Sequence, residues 1–189
     1  MRNQRKARYF AAAQEILSTG GYGALKLAAV CKHLDVTTGA FYHSFENWNT
    51  FTREFLRAWH EERTSYYANL TRAESDPAQQ VLIVASAAMS FDHRSEAAIR
   101  AWAHIDPEVE KIQIVVDQER YEVVLEVTNQ LVGADDGPRF AKWAISTLIG
   151  FEQLTHQQTR DDLVWQLEQL VALAIGIYEQ RKADGLVSA

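Results

Sequence analysis

One cysteine in 189 residues, Cys31, leaves no partner for an internal disulfide and fits a reducing, cytoplasmic setting. It is expected as a small buried apolar side chain. Prolines are equally scarce, three in all, so little interrupts regular structure. No run approaches the roughly 20 apolar residues that would cross a bilayer. Met1-Arg2-Asn3-Gln4-Arg5-Lys6 has the charge of a signal-peptide start, but Gln14 and Glu15 cut its apolar continuation short. The six histidines form no His-Glu-x-x-His pair, and neither a phosphate loop nor a Gly-x-Ser-x-Gly elbow occurs. His60-Glu61-Glu62 and Asp92-His93 each offer a metal ligand, but four ligands at recognisable spacing are missing. No enzyme activity, cofactor or metal is expected.

What is present is helical periodicity and a divided charge. The net charge of −6 conceals an N-terminal segment, residues 1–57, with eight Lys/Arg against four acids, and a remainder with eleven against twenty-one. A basic end beside an acidic body suits a nucleic-acid-facing end, because Lys and Arg displace counterions condensed on phosphates.

The chain reads as all-α. Phe10, Ala13, Ile16 and Leu17 define a helix over 3–18, stopped by Gly20-Gly21. Short helices follow over about 27–33 and 38–44, and then one long helix over about 47–70. Asp76-Pro77 and Asp106-Pro107 each cap and open a helix, the second running to about 132. A break at Phe91–Arg94 precedes a short helix over 95–103, Gly133–Pro138 forms a loop, and the last helices span 138–157 and 162–182.

The two short helices and their tight turn have the layout of a helix-turn-helix, in which the second helix enters the major groove. Val30, Leu34, Val36 and Phe41 are the apolar points between them. Asp35 stands where the turn needs a left-handed residue, and Thr37 can cap the second helix. At 100° per residue, Thr38 and Tyr42 form one stripe and Gly39 and His43 the next, with Phe41 facing inward. From spacing alone a plain helical hairpin, with Tyr42 and His43 merely packing, remains open.

Gly21-Tyr22, Val30-Cys31, Asp35-Val36-Thr37 and Phe41-Tyr42-His43-Ser44-Phe45 together resemble, in type and spacing, the N-terminal domain of the TetR family of regulators, over about residues 5–55. The resemblance implies a three-helix DNA-binding domain over 1–47 and a larger helical ligand-binding and dimerisation domain over 48–189. It implies a homodimer on a palindromic operator, usually a repressor released by a small molecule. It gives Tyr42 and His43 to phosphates, and Thr37, Thr38, Gly39 and Ala40 to the bases or flanking backbone, with Lys26 near the start of the brace helix. Trp48 stands where the family usually has a phosphate-binding lysine, Asp35 where it has glycine, and Leu25 and Ala28 where polar residues are common. With those donors missing, Arg5, Lys6 and Arg8 are expected to carry more of the DNA contact.

In the remainder, Trp59, Tyr66, Phe91, Trp102, His104, Tyr121, Trp143 and Phe151 are candidates to line a pocket for a hydrophobic or aromatic effector, beside Trp102 and Trp143 in particular. Ordinary core packing is the plainer reading of the same pattern. Arg100-Ala101-Trp102, Asp106-Pro107, Asp117 and Arg120 read as structural, an internal ion pair and a capped helix. The last helix is apolar around most of its girth, which suggests a two-fold interface through Leu148, Phe151, Leu163, Leu167, Leu170 and Ala174. A helical protein–protein adaptor without DNA binding is the alternative.

Overall fold

A computed structural model describes residues 2–154 and 159–187, with the side chains of Arg2 and Asn3 undescribed. Among these residues there is no strand; the helices are α1 (Arg2–Gly20), α2 (Leu27–His33), α3 (Thr38–Tyr42), α4 (Trp48–His60), α5 (Tyr66–Ala73), α6 (Pro77–Ser90), α7 (His93–Ala103), α8 (Pro107–Val132), α9 (Gly137–Gln153) and α10 (Arg160–Ala183). The all-α expectation is met. His156 lies outside the described residues.

Local chemistry sets most boundaries. Asp76 accepts from the Ala78 N–H at 3.0 Å and opens α6. Asp106 does the same for Glu108 at the start of α8. Asp92 caps α7, which starts at His93, two residues before the expected position. Thr159 and Asp162 close a reciprocal capping box on α10.

The long helix expected over 47–70 is divided. A π-helical turn, Glu61–Ser65, separates α4 from α5. Buried positions step by four from Phe51 to Phe55 to Trp59, then by five to Thr64, before Ala68 and Thr71. An i→i+5 turn is the wider coil that keeps such a step of five on one side.

The chain forms two compact units, neither continuous in sequence: residues 1–62 with 92–115, and 63–91 with 116–189. In the first, α1 packs on α7, α2 and α4. Tyr9, Phe41, Phe45 and Phe51 meet mostly edge to face at centroid distances of 5.0–5.6 Å. Offset and edge contacts of this kind add about 0.5–1.5 kcal/mol per pair beyond area burial. Polar ties join distant segments: Ser18 donates to Asp92 at 3.0 Å and the Trp59 indole to Glu96 at 2.6 Å.

The second unit layers α6 between α5 and α10, with α9 on α10. Val81, Val127, Leu131, Ala174 and Tyr178 form one part of its core. Ala87, Ala88, Phe91, Leu148, Leu163 and Leu167 form another. At Gly137 a Cβ would sit 3.0 Å from the Asn129 Cα, so the close approach of α9 to the end of α8 demands glycine. Thr128 seals that junction by donating to the Gly137 carbonyl at 2.9 Å.

Candidate nucleic-acid interface and effector cavity

The turn between α2 and α3 is built by backbone chemistry. Asp35 has φ 52°, in the left-handed region, as its place in the sequence suggested. The Val36 N–H donates to the Cys31 carbonyl and the Asp35 N–H to that of Lys32, the paired bonds of a Schellman motif with Asp35 in the position glycine favours. Thr37 then caps α3, its hydroxyl oxygen accepting from the Ala40 N–H at 3.2 Å. Phe41 is fully buried and pins the five-residue helix, which is too short to persist unaided.

The opposite face of α3 is open. Thr37, Thr38, Gly39, Tyr42 and His43 are exposed, Tyr42 by 53%, and Ala40 is half-buried. Gly39 needs no special backbone, and a Cβ added there would meet only Thr37 Oγ1, at 3.7 Å. The fold itself therefore has no use for the missing side chain.

Lys26, at the N-cap of α2, and Arg5 are exposed, as is Arg8. Lys6 differs. Its ammonium is paired with Glu54 and lies 5.1 Å from the Phe45 ring centroid, so the protein already uses this charge. Trp48, where the resemblance expects lysine, packs by Phe51 at 4.9 Å. Cys31 is buried, and burial pushes its thiol up, towards the unreactive form.

Within the second unit, α5, α6, α8, α9 and α10 enclose a cavity of about 100 Å³. Its walls are mostly aliphatic, with Val81 and Ala85 from α6 facing Val123 and Val127 from α8. Of the eight residues proposed for a pocket, Phe91 lines it and the others do not. Trp59 is committed to Glu96, and Trp102 stacks on Tyr22 at 4.8 Å while its indole donates to Asp106. Tyr66 is exposed, and the exposed His104 ring is bound to the Arg100 carbonyl. Trp143 points outward, 49% exposed; Tyr121 and Phe151 are half-buried. The pocket expected beside Trp102 and Trp143 is not where the cavity lies, because one tryptophan is spent on a core stack and the other faces solvent.

Arg63, Thr64 and Arg120 at the cavity wall were missed. Arg120 was read as structural, yet its Nε donates to Thr64 Oγ1 at 3.0 Å, and its guanidinium lies 4.6 Å over the Phe91 ring. A signal existed. Val116, Arg120, Val123 and Val127 fall in one helical row, and a cation among buried valines marks an unusual environment.

The apolar girth of α10 also divides differently. Leu148, Leu163, Leu167, Leu170 and Ala174 are buried in the chain's own core, and Phe151 is half-buried, so these side chains are spent on internal packing. The outward faces carry Trp143 and Leu154 with α9, and Trp165 and Leu173 on α10. Gly150 and Gly176 leave open space beside them.

Residues 10–48 match the family model described as bacterial regulatory proteins, tetR family. No curated relative matches the chain. A transcriptional regulator from Rhodococcus sp. Rha1 shares the fold at 18% identity and TM-score 0.70, over 93% of this chain and 96% of that one. A regulator from Saccharomonospora viridis, in complex with choline, aligns at 10% identity and TM-score 0.73 over 90% and 96%. Salmonella enterica GusR aligns at 16% and 0.67 over 93% and 96%.

Proposed function

We propose that this chain, a TetR-family transcriptional regulator, acts as a repressor: a homodimer on a palindromic operator, released by a small hydrophobic or aromatic effector. Residues 1–47 are the DNA-binding domain and residues 48–189 serve ligand binding and dimerisation; of the latter, 48–62 and 92–115 pack in the first unit with the DNA-binding residues, and the cavity lies in the second. The observation that carries this reading is the division of α3. Phe41 is fully buried while Thr38, Gly39, Tyr42 and His43 stand exposed, a polar rod backed by a hydrophobic anchor. Thr37, Thr38 and Ala40 meet bases or flanking backbone, Gly39 lets a strand approach closely, and Tyr42 and His43 donate to phosphates. Lys26 and Arg5, with Arg8, supply phosphate contacts, whereas Lys6 supports the domain through Glu54.

Two copies joined through the outward faces of α9 and α10 would cover Trp143, Leu154, Trp165 and Leu173, with Gly150 and Gly176 permitting close helix approach. Such a dimer sets two recognition helices about 34–36 Å apart, one turn of DNA. The aliphatic cavity supports a small effector, and a neighbour of this fold is known in complex with a small molecule. An effector that favours another arrangement of the dimer weakens operator binding, with coupling of about 1–3 kcal/mol.

The test is a mobility-shift assay with the DNA flanking the gene, using wild type, Tyr42→Ala and Gly39→Ala. Both variants should fold and lose the shift; undiminished binding by both would remove α3 from the interface. Sedimentation of Trp165→Glu with Leu173→Glu should give a monomer, and a persisting dimer places the interface elsewhere.

A further inference from the structure

What the cavity of the second unit offers a ligand is carbon. Val81, Val84 and Ala85 of α6 face Val123 and Val127 of α8, and almost none of the surface opening into the cavity is polar. Arg63 and Arg120 border it, and with so little polar surface inside they meet it through their carbon atoms. The hydroxyls along the wall have partners within the protein. Thr71 donates to the Tyr67 carbonyl at 2.8 Å, Thr128 to that of Gly137 at 2.9 Å, and Thr64 accepts from Arg120 at 3.0 Å. The Tyr67 and Ser90 hydroxyls share a bond at 3.3 Å. A charged or hydrogen-bonding group brought inside would lose its water and gain no partner in exchange.

We propose that this cavity takes an uncharged aliphatic molecule of about three or four carbons, and that it admits neither an aromatic ring nor a charged head group. The size follows from the volume. A cavity of roughly 150 Å³ holds the six carbons of benzene, so one of about 100 Å³ holds about four at the same filling. The lack of charge follows from the wall. Each methylene moved from water into an apolar cavity is favoured by the same transfer that drives folding, whereas a buried charge is tolerated only when paired. This inference rests on the second unit being the sensing domain, and it narrows the effector to a short aliphatic molecule.

Methyl NMR of the full chain, following the alanine, valine and leucine methyls of the wall, tests it by titration with propane, propylammonium, propionate and benzene. Propane should shift those methyls and bind at least about tenfold more tightly than either charged analogue, the scale of leaving a charged group without its hydrogen bonds. Benzene, being too large, should leave them unmoved. Ala85→Leu, which fills the cavity, should abolish propane binding while circular dichroism shows the fold retained. If Ala85→Leu does not fold, the four-ligand series on the wild type decides. A charged analogue binding as tightly as propane, benzene shifting the same methyls, propane binding retained in folded Ala85→Leu, or no binding of propane overturns the proposal. The mobility shift with and without propane separates the two readings: propane bound in the cavity with no effect on the shift leaves the aliphatic site standing and removes its regulatory role.

Discussion

Truncating Phe41 to alanine should release α3 while most of the molecule keeps its contacts. Phe41 is fully buried, with rings of Tyr9, Phe45 and Phe51 at 5.6, 5.1 and 5.4 Å. Removing a buried phenylalanine costs about 3–5 kcal/mol through lost transfer energy and the cavity left behind. A whole domain is stable by only about 5–15 kcal/mol. The helix it anchors has five residues, and its other holds are the Thr37 cap and the turn at Asp35. The loss should therefore appear first as faster amide hydrogen exchange over 38–45, accompanied by a fall in melting temperature of roughly 6–20 °C. Amides of α6 and α10, in the other unit, should change least. Unchanged exchange at 38–45 in a folded Phe41→Ala protein would refute the claim that this ring holds α3.

Three other outcomes follow from the geometry. Asp35→Gly should raise stability by up to about 1 kcal/mol because a left-handed conformation costs an L-residue about 1–2 kcal/mol, whereas Asp35→Val should lower it; a denaturant midpoint that moves the other way for both excludes strain at this turn. Arg5→Ala with Arg8→Ala should flatten the salt dependence of operator binding by about 0.9 per lost phosphate contact, and Lys6→Ala should act mainly on stability through Glu54; an equal slope change from Lys6→Ala alone would mean that its ion pair opens on DNA. The Arg72 guanidinium donates two bonds to Glu126 and holds that carboxyl below its ordinary value. A depressed folded pKa stabilises above the unfolded pKa and is lost as pH falls through the folded one, so Arg72→Met should cost under about 1 kcal/mol near neutrality, given the pair's exposure, and nothing in strong acid. A cost that persists at low pH assigns the effect to packing.

Features written locally were legible in the sequence. Asp76 and Asp106 cap helices two residues on, and Thr37 caps one three residues on, because each side chain reaches only its neighbouring backbone. The inward turn of Phe41 and the outward turn of Tyr42 follow from 100° per residue. The π turn was not legible, since 47–70 reads as one amphipathic run and no single residue type enforces the wider coil. Nor was the inner face of α10, whose girth is apolar on several sides, so periodicity could not separate Leu167, buried, from Trp165, 62% exposed.

What the sequence determined by itself was the helical class, the helix-turn-helix and the polar face of its second helix, because those depend on contacts spanning one or two turns. The tertiary structure alone decided which charges are paired within the protein and where the cavity lies. Lys6 meets Glu54 across 48 positions, Arg120 meets Thr64 across 56, and Trp102 is consumed by a stack on Tyr22. Those partners are far apart along the chain, and only packing brings them within reach of each other.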